Sequence, residues 1–503
     1  MDFETDRRQE VIEYIIKKYP GKAAQICSYG LYKVDNLLND LFKVCGVEEA
    51  DEKKEIKDYV RGHVVDDDFN YDKAKRETTC KNYNRHYDNI ILHFSKMYKK
   101  VRFIGKHAAG VAVVGGNLLD YTSIEAKGSK DKGTYSVSTA YNLNNLDEIN
   151  VIKFDMLGLR TLSITKELED MTDECFSYEW LEDPEIYEYF AEGKTDGIFQ
   201  FEKGTAKGIL KDIKTDSIDD VIAASALNRP GPLSLKMPDH YAHSKESGNF
   251  GGEPWDDYTN KTYGTIVYQE QIQQICINIG GLTYADADRV VKFMKSTNMT
   301  EAQIREREKE IGDLKRRFID GCKENKGMTK DQANELFEKI TVYSFNQGHS
   351  TGYALISMQQ MYFRVKHPEL FWYTTLKYAN NEGDLFRIKI EAVKDGNVIL
   401  LPHVNYDTKY SIVKIQGESA LAEGLSNIKN VGVKAAAAIE SEREKNGPYT
   451  SHENFMERVP KRQVNAGVVK ALEEAGALLF DEKTYFDRVK KYNSTLYSFG
   501  LNT

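Results

Sequence analysis

Long apolar runs are missing from this sequence of 503 residues. No stretch approaches the ~20 consecutive apolar residues that a membrane span needs, and no basic segment followed by an apolar one opens the chain. We therefore expect neither a membrane partner nor a secretion signal. Cysteine is also scarce, and the six cysteines include no Cys-x-x-Cys pair. Scattered cysteines of this kind favour reduced thiols in a cytoplasm over a disulfide framework or a zinc site.

An excess of basic residues is missing as well. The 69 Lys and Arg residues are outnumbered by 78 Asp and Glu residues, and the resulting net charge of −9 counts against a nucleic-acid-binding protein. This average conceals local differences, because acids between residues 48 and 68 offset basic stretches such as 96–106. The composition, with 41% hydrophobic and 29% charged residues, is that of an ordinary globular protein. The length fits roughly two to four domains.

Strand and helix patterns alternate in the first third of the chain. Apolar residues recur at helical spacing from Val11 to Ile16, and Pro20-Gly21 ends that helix. Residues 35–98 have a polar helical pattern, whereas the apolar runs 101–114 and 151–159 predict strands of a mixed sheet. Helical patterns then dominate at 160–395 and at 421–480, with a short β segment between them at 398–415.

Asp155 lies in the apolar run VIKFDMLGLRT (151–161), near the end of a predicted buried strand. A carboxylate that points from a strand end into a cleft is typical of Mg²⁺ sites. A capping or salt-bridged aspartate explains the same pattern, and from this segment alone both interpretations stay open. Asp2, in MDFETDRR, is by itself an ordinary N-terminal acid.

Two further segments combine polar residues with a defined backbone. ALNRPGPL (226–233) places Arg229 beside two prolines and a glycine, which fix a rigid turn. An arginine with a fixed direction suits bidentate recognition of a phosphate, and an ordinary loop arginine fits the spacing equally well. SFNQGHSTGYALI (344–356) puts Asn346, His349 and Tyr353 on one helical face. That stripe suits the positioning of a nucleotide, or hydrogen bonding inside a helical core.

The segment GLSNIKNVGVKAAAAI (424–439) predicts a helix–hairpin–helix, because a tight Asn430-Val431-Gly432 turn precedes a lysine and an alanine-rich helix. In such a motif the N–H groups at the start of the second helix bind phosphate oxygens irrespective of base sequence. Lys434 adds a positive charge. Asn430 replaces the usual first glycine, and asparagine is the next-best residue for a left-handed backbone. The alternative is an ordinary helix–turn–helix packing unit.

In this order the segments resemble the α subunit of bacterial replicative DNA polymerase III, in the DnaE-like branch of the C family of DNA polymerases. The resemblance extends over almost the whole chain. It also includes the segments MDFETDRRQEVIEYIIKKY, KHAAGVAV, GIFQFE and GTIVYQEQI. The large divergence between these segments suggests a bacteriophage version of the family.

The resemblance implies an α+β, predominantly helical fold. Its parts are a partial nucleotidyltransferase palm with a mixed sheet, a helical thumb, large helical fingers and a helix–hairpin–helix domain. The expected bounds are palm 1–30, thumb-like helical insertion 31–98, palm 99–165, fingers 166–395, DNA-binding and clamp-proximal hairpin domain 396–482, and C-terminal tail 483–503.

The resemblance also implies a template-directed DNA polymerase that transfers a nucleotide from a dNTP to the 3′-hydroxyl of primer–template DNA. Two Mg²⁺ ions held by aspartates assist this reaction. The implied catalytic residues are Lys153, Asp2 and Asp155, and the two aspartates are the metal ligands. The implied nucleotide-binding residues are Arg229, Asn346, His349, Tyr353 and, in VVKFMKS (290–296), Lys292. The implied primer or template contacts are His107, Tyr268, Gln269, Gly432 and Lys434.

The sequence departs from the family pattern before Asp2. The family's first metal-binding aspartate lies two residues before the position that Asp2 matches, and a PHP domain precedes it. We therefore expect a second polypeptide to supply both, as in a split polymerase. An exon product, or a gene model begun at an internal methionine, fits the same observation. The alternative function is a catalytically inactive DNA-binding fragment that uses the hairpin and fingers surface.

Two smaller departures concern the nucleic-acid path and a sliding clamp. After Tyr29-Gly30 the family has a lysine and an arginine where this chain has Asp35 and Asn39, so positive charge is lost there. A sliding clamp is an expected partner of the family. TLYSFGL (495–501) resembles a clamp-binding peptide but lacks its glutamine, which makes it a weak match.

Overall fold

The computed structural model describes residues 1–65, 68–80, 85–128, 135–293, 301–379 and 381–501. The chain divides into two compact units, residues 1–160 and 161–503. Helices predominate and a few mixed sheets accompany them, which confirms the α+β, predominantly helical fold class. Within these ranges no helix is both long enough and apolar enough to cross a membrane. The finer domain bounds given above stay a prediction.

The first unit alternates strands and helices. In chain order its elements are β1 (Asp2–Glu4), α1 (Arg8–Lys18), β2 (Ala23–Leu31), α2 (Val34–Cys45), α3 (Ala50–Gly62), β3 (Val64–Val65), β4 (Asp68–Phe69), α4 (Tyr71–Cys80), α5 (Arg85–Met97), β5 (Val101–Val113), β6 (Ile124–Gly128), β7 (Tyr135–Thr139), α6 (Leu143–Glu148), β8 (Ile152–Asp155) and β9 (Leu157–Leu159). The predicted first helix and the predicted strands at 101–114 and 151–159 are therefore present.

A five-stranded sheet in the order β6-β7-β2-β5-β8 forms the centre of this unit. β5 pairs antiparallel with both β2 and β8, so β8 is an edge strand. β1 pairs in parallel with β9, the continuation of β8. α1 covers this region, and its buried Ile12 packs with Val111 and Met156. Because β9 directly follows β8 in the chain, the β1–β9 pair brings the two predicted aspartates, on β1 and β8, to the same region.

A helical insertion, α2 to α5, lies between β2 and β5 and has its own core. The apolar residues of α2 recur at helical spacing and share one buried face. They pack with Ile56 of α3 and with Ile90 and Phe94 of α5. The described helices agree with the helical pattern predicted for 35–98, which β3 and β4 interrupt. Asp66 and Asp67 of the predicted acidic stretch lie outside the described residues.

The second unit is mostly helical. From residue 160 onwards the elements are α7 (Arg160–Thr172), α8 (Pro184–Ala191), α9 (Gly204–Ile213), α10 (Ile218–Leu227), α11 (Pro230–Ser234), α12 (Met237–Ser247), α13 (Asp256–Thr259), α14 (Gln269–Asn278), α15 (Tyr284–Phe293), α16 (Glu301–Lys326), α17 (Lys330–Ile340), α18 (Gln347–Lys366), α19 (Pro368–Lys377), α20 (Glu382–Lys394), β10 (Ile399–Leu400), β11 (Ser411–Ile415), β12 (Glu418–Ala422), α21 (Val433–Asn446), α22 (His452–Arg458), α23 (Ala466–Ala475) and α24 (Glu482–Leu501).

Among its described residues the second unit has four hydrophobic cores, of which the smallest joins Leu400, Ala420 and Ala422 to Tyr485 and Val489 of α24. The largest includes Met358 and Met361 of α18 with Phe371 and Trp372 of α19. A second core joins α14 to α17 around Phe318, and a third stabilises the hairpin region from 404 to 478. α18 is thus fixed along its length, which gives the residues at its start a rigid support.

Two segments differ from their sequence patterns. Residues 418–422 form β12 although a helical pattern starts at 421, because Leu421 and Ala422 pair with both β10 and β11. Residues 482–501 form α24, and Leu496 within TLYSFGL is buried in the largest core. That segment is therefore helical in this structure and not an extended peptide.

Candidate active site

Asp155 ends β8 and forms an ion pair with Lys153. Residues two apart in a strand share a face, and Lys153 Nζ lies 2.9 Å from Asp155 Oδ2. The other carboxylate oxygen, Oδ1, is buried and accepts no hydrogen bond from the described residues. Asp155 is therefore salt-bridged through one oxygen, while the second oxygen has the character of a cation ligand. The ion pair with Lys153 supports a salt-bridged aspartate, and the buried Oδ1 supports a metal ligand, so both interpretations stay open.

β1 brings Asp2 next to this strand. Asp2 is the parallel partner of Leu157, two residues beyond Asp155. Around them Met1 N donates to Asp155 O and Leu157 N donates to Met1 O, both at 3.0 Å. Asp2 and Asp155 thus lie on neighbouring strands, as the resemblance implies. In the part of the chain that the structure describes, no group of three or more His, Cys, Asp or Glu residues is placed to hold a metal ion.

His107 starts a bulge in β5 that sequence patterns did not predict. Gln25 pairs with Val111 and Cys27 with Lys106, so the single residue Ile26 faces residues 107–110. His107 Nδ1 accepts hydrogen bonds from the backbone N–H groups of Ala109 and Gly110, at 3.2 and 2.8 Å. Gly110 is the partner of Asp155 on β8. Bulges commonly re-aim side chains next to active sites, and this one lies directly beside the candidate metal ligand.

Arg8, at the start of α1, contacts the same bulge. Its Nη1 donates to the carbonyl of Ala108, which ties the bulge to the helix that follows Asp2. The neighbouring Arg7 is exposed and instead pairs with Glu10. Nothing in the sequence marks Arg8, because its contact spans 100 residues.

In the second unit, the predicted polar and aromatic stripe lies at the start of α18. Asn346 is the residue that caps this helix: its Oδ1 accepts a hydrogen bond from the His349 N–H at 2.7 Å. The ring centroids of His349 and Tyr353 lie 4.1 Å apart, and the ring centroid of Tyr353 lies 5.1 Å from that of Phe199 in the GIFQFE segment. Asn346 and His349 are exposed. The structure therefore brings the three predicted residues together, with Asn346 at the cap and not within the helix.

Tyr268 and Gln269 support this helix start from the inside. Tyr268 forms a parallel β-bridge with Phe345. The Gln269 N–H donates a hydrogen bond to Phe345 O at 2.8 Å, and the Phe345 N–H donates one to Val267 O at 3.0 Å. The two residues are 3% and 8% exposed. Burial raises the pKa of Tyr268 well above its usual range. In this structure both residues hold neighbouring elements together, and their predicted primer contact stays a prediction.

Arg229 belongs to the same cluster. It directly precedes α11, whose first residue is Pro230, so the proline-rich segment is a helix start and not an open turn. The guanidinium lies over the Phe345 ring. Tyr343 fixes the preceding backbone, because its hydroxyl donates to Ala226 O at 2.9 Å, and burial raises the pKa of Tyr343 to about 12. Arg229 thus has a defined direction, as its sequence suggested.

Glu270 is a member of the cluster that the sequence analysis missed. Its carboxylate accepts hydrogen bonds from Asn346 Nδ2 and from the Gln347 backbone N–H, both at 2.9 Å. Phe345 was missed as well. Both residues are separated from their partners by long stretches of chain, so no local pattern reveals them.

Lys292 lies on α15 and pairs with Asp288 at 2.7 Å, with its side chain 72% exposed. Residues 294–296 of its segment VVKFMKS lie outside the described residues. The hairpin has the predicted backbone: Asn430 has a φ of 71°, in the left-handed region. Gly432 is the N-cap residue of α21 and supplies no side-chain cap, and Lys434 is exposed in the first turn of the helix.

Three domain families match consecutive parts of this chain. Residues 1–158 match the bacterial DNA polymerase III alpha NTPase domain, residues 161–326 match the finger domain of the same subunit, and residues 396–484 match a helix–hairpin–helix motif. The last match confirms the predicted hairpin.

Whole-chain relatives agree with the domain matches. The DNA polymerase III alpha subunit of Borreliella burgdorferi is 31% identical over 97% of this chain and 42% of the relative. That of Aquifex aeolicus is 30% identical over 96% of this chain and 43% of the relative. The chain spans about two fifths of the length of the curated relatives that it matches.

Proposed function

The chain belongs to the family of bacterial DNA polymerase III alpha subunits, and from this membership we propose that it supplies the palm, fingers and hairpin of a template-directed DNA polymerase. In the reaction, the primer 3′-oxygen forms a bond to the α-phosphorus of a dNTP and pyrophosphate leaves. The observation that carries the proposal is the pair of carboxylates on neighbouring strands, Asp2 and Asp155, with Asp155 Oδ1 buried and not hydrogen-bonded by the described residues.

Asp2 and Asp155 are the residues that would hold two Mg²⁺ ions. Carboxylate oxygens are the ligands that Mg²⁺ prefers, so Asp155 Oδ1 fits this role. When bound, the ions activate the 3′-oxygen and stabilise the leaving pyrophosphate. Lys153 restrains Asp155 through Oδ2 and offsets part of the negative charge. His107 and the bulge keep β5 in place opposite Asp155.

A third carboxylate and the PHP domain would come from a second polypeptide. The register of the parallel pair shows where that carboxylate would lie. Asp2 is opposite Leu157, so a strand continuing this register toward its N-terminus would place the residue two positions before Asp2 opposite Asp155. Such a strand would run along the outer edge of β8, where Ile152 is 63% exposed. Strand addition to an open sheet edge is a common mode of association.

The cluster at the start of α18 would bind the incoming dNTP. Arg229 has the planar, always charged group that suits a triphosphate, and its direction is fixed by Phe345. Asn346, His349 and Tyr353 would contact the nucleotide, with the adjacent His349 and Tyr353 rings suited to base stacking. Lys292 would add positive charge. Tyr268 and Gln269 would contact the primer and would also hold the start of α18 in place.

The hairpin would bind the backbone of duplex DNA. The first N–H groups of α21 point out from its N-terminus, where the N-cap residue Gly432 supplies no side-chain cap, and Lys434 adds a cation. These groups contact phosphates and carry no base specificity. The free, scattered cysteines among the described residues suit a bacterial or phage-infected cytoplasm.

Primer extension tests the proposal. The chain should co-purify with a polypeptide that carries a PHP domain and an Asp-x-Asp strand, and the pair should extend a primer in Mg²⁺, whereas the chain alone should not. Asp155→Ala in the pair should abolish incorporation and leave DNA affinity unchanged, and the exposed Asp147→Ala serves as the matched control. Extension by the chain alone would overturn the need for a second polypeptide. DNA binding without extension by the pair would favour the inactive DNA-binding fragment.

A further inference from the structure

Glu270 contacts the first turn of α18 through both oxygens of its carboxylate. Oε1 accepts a hydrogen bond from Asn346 Nδ2, and Oε2 accepts one from the Gln347 backbone N–H. We propose that Glu270 is a positioning residue for nucleotide addition: it fixes the Asn346 side chain and the helix turn that carries His349. This inference rests on the proposed function, because it requires the α18 residues to contact the nucleotide.

The carboxylate determines which way the Asn346 amide faces. Asn346 uses both ends of its side chain, since Oδ1 accepts from the His349 N–H and Nδ2 donates to Glu270. An amide turned by 180° would put its NH₂ against the His349 N–H and its oxygen against the carboxylate. Both contacts would be repulsive, because donor would face donor and acceptor would face acceptor. Glu270 therefore leaves Asn346 one favourable orientation.

The same carboxylate stabilises the helix start itself. The first N–H groups of a helix have no partner within the helix, and the helix dipole is positive at that end. Glu270 supplies both an acceptor for Gln347 and a negative charge. It also follows Gln269 directly, whose N–H donates to Phe345 O, and Phe345 is the ring under Arg229. A change at Glu270 therefore affects the support of the whole dNTP cluster.

Glu270→Gln isolates this role, because it keeps the size of the side chain and one acceptor. Its new NH₂ group must face the donor of either Asn346 or Gln347, so one hydrogen bond is lost. In the reconstituted polymerase we expect kcat for nucleotide incorporation to fall about tenfold, with primer–template affinity unchanged. The amides at 347–350 should exchange hydrogen faster. Glu324→Gln, at an exposed position of α16, is the matched control.

A double substitution, Glu270→Gln with Asn346→Asp, reverses the polarity of the contact. The new amide can donate to the new carboxylate and still accept from the Gln347 N–H, while the carboxylate accepts from the His349 N–H. All three hydrogen bonds are restored, so exchange at 347–350 should return toward the wild-type rate. A general loss of folding at this site would not be repaired in this way.

The outcomes separate this inference from the proposed function. Faster exchange with reduced kcat supports the positioning role, and unchanged exchange or unchanged kcat in an active polymerase overturns it. If the wild-type pair does not extend primers at all, the proposed function fails. Hydrogen exchange alone then tests the role of Glu270. If exchange at 347–350 is faster in Glu270→Gln and the double substitution reverses this, Glu270 is the residue that fixes the start of α18. Unchanged exchange in Glu270→Gln overturns that role.

Discussion

The Arg229 guanidinium lies over the aromatic ring of Phe345, with its central carbon 4.7 Å from the ring centroid. The backbone of Phe345 is held in turn by the segment around Tyr268. The direction of the arginine is therefore defined by residues far later in the chain as well as by the prolines that follow it.

Phe345→Leu tests the importance of this stacking. The substitution keeps an apolar side chain of similar size but removes the ring face, so Arg229 should lose its fixed direction. A cation–π contact at a partly exposed site contributes about 0.5–1 kcal/mol, which corresponds to a rise of roughly two- to fivefold in KM for the dNTP. Steady-state kinetics of the reconstituted polymerase measures this KM. Phe386→Leu is the control, and an equal effect there would contradict the role of the ring.

Arg8→Ala should impair the candidate metal site from a distance. Arg8 donates to Ala108 O in the bulge beside Asp155, so its removal should free residues 107–110 and misplace β8. We expect primer extension to fall roughly tenfold and hydrogen exchange at 108–111 to increase. The neighbouring Arg7→Ala, which removes an exposed pair with Glu10, should change neither. Equal behaviour of the two variants would refute the link.

Lys434→Ala should weaken binding to duplex DNA without regard to sequence. A phosphate-contacting lysine releases about one counterion, so the slope of log affinity against log salt should fall by about 1. Fluorescence anisotropy at several salt concentrations measures that slope. Lys445→Ala, in the last turn of the same helix, should leave it unchanged. A preserved slope in Lys434→Ala would remove this lysine from the DNA contact.

The buried His403 should lower the free energy of unfolding in acid. Its ring lies among those of Tyr406, Phe480 and Tyr485, and burial lowers the pKa of His403 from 6.5 to about 4. Below pH 6.5 the unfolded imidazole binds a proton that the folded one does not. The free energy of unfolding should therefore be unaffected by this group above pH 6.5 and should fall by up to about 3 kcal/mol as the pH drops to 4.

Chemical denaturation of the wild type and of His403→Asn checks this prediction. The asparagine keeps an acceptor for the Asn405 N–H, which donates to His403 Nδ1, and it does not titrate. The difference in stability between the two proteins should shrink between pH 7 and pH 4.5. A constant difference over that range would contradict the prediction, because it would show that His403 has the same pKa in the folded and the unfolded protein.

The sequence predicted features that depend on neighbouring residues. The apolar pattern around Asp155 predicted the strand β8, but the prediction that this strand is buried was wrong, because β8 lies at the sheet edge with Ile152 and Phe154 exposed. The preference of asparagine for a left-handed backbone predicted the turn at Asn430, which has that conformation. The order of the segments indicated the family. The stripe from Asn346 to Tyr353 was also visible, because helical spacing places these residues together.

Features that depend on distant residues were not predictable. The bulge arises from a mismatch between two strands far apart in the chain, and Glu270 meets Asn346 across 76 residues. Residues 421–422 follow a helical pattern but pair as a strand, because tertiary partners override local propensity. Tyr268 and Gln269 lie in a segment typical of the family, yet their burial depends on how α14 packs.

The bulge at residues 107–110 divides β5 into two arms. The arm before it pairs with Cys27 to Leu31 and leads to the helical insertion, and the arm after it pairs with Ala23 to Gln25 and with β8. Extra residues in the bulge absorb changes in twist and length. A change in the length or orientation of the helical insertion can therefore be absorbed at the bulge, while the strand that bears Asp155 keeps its register.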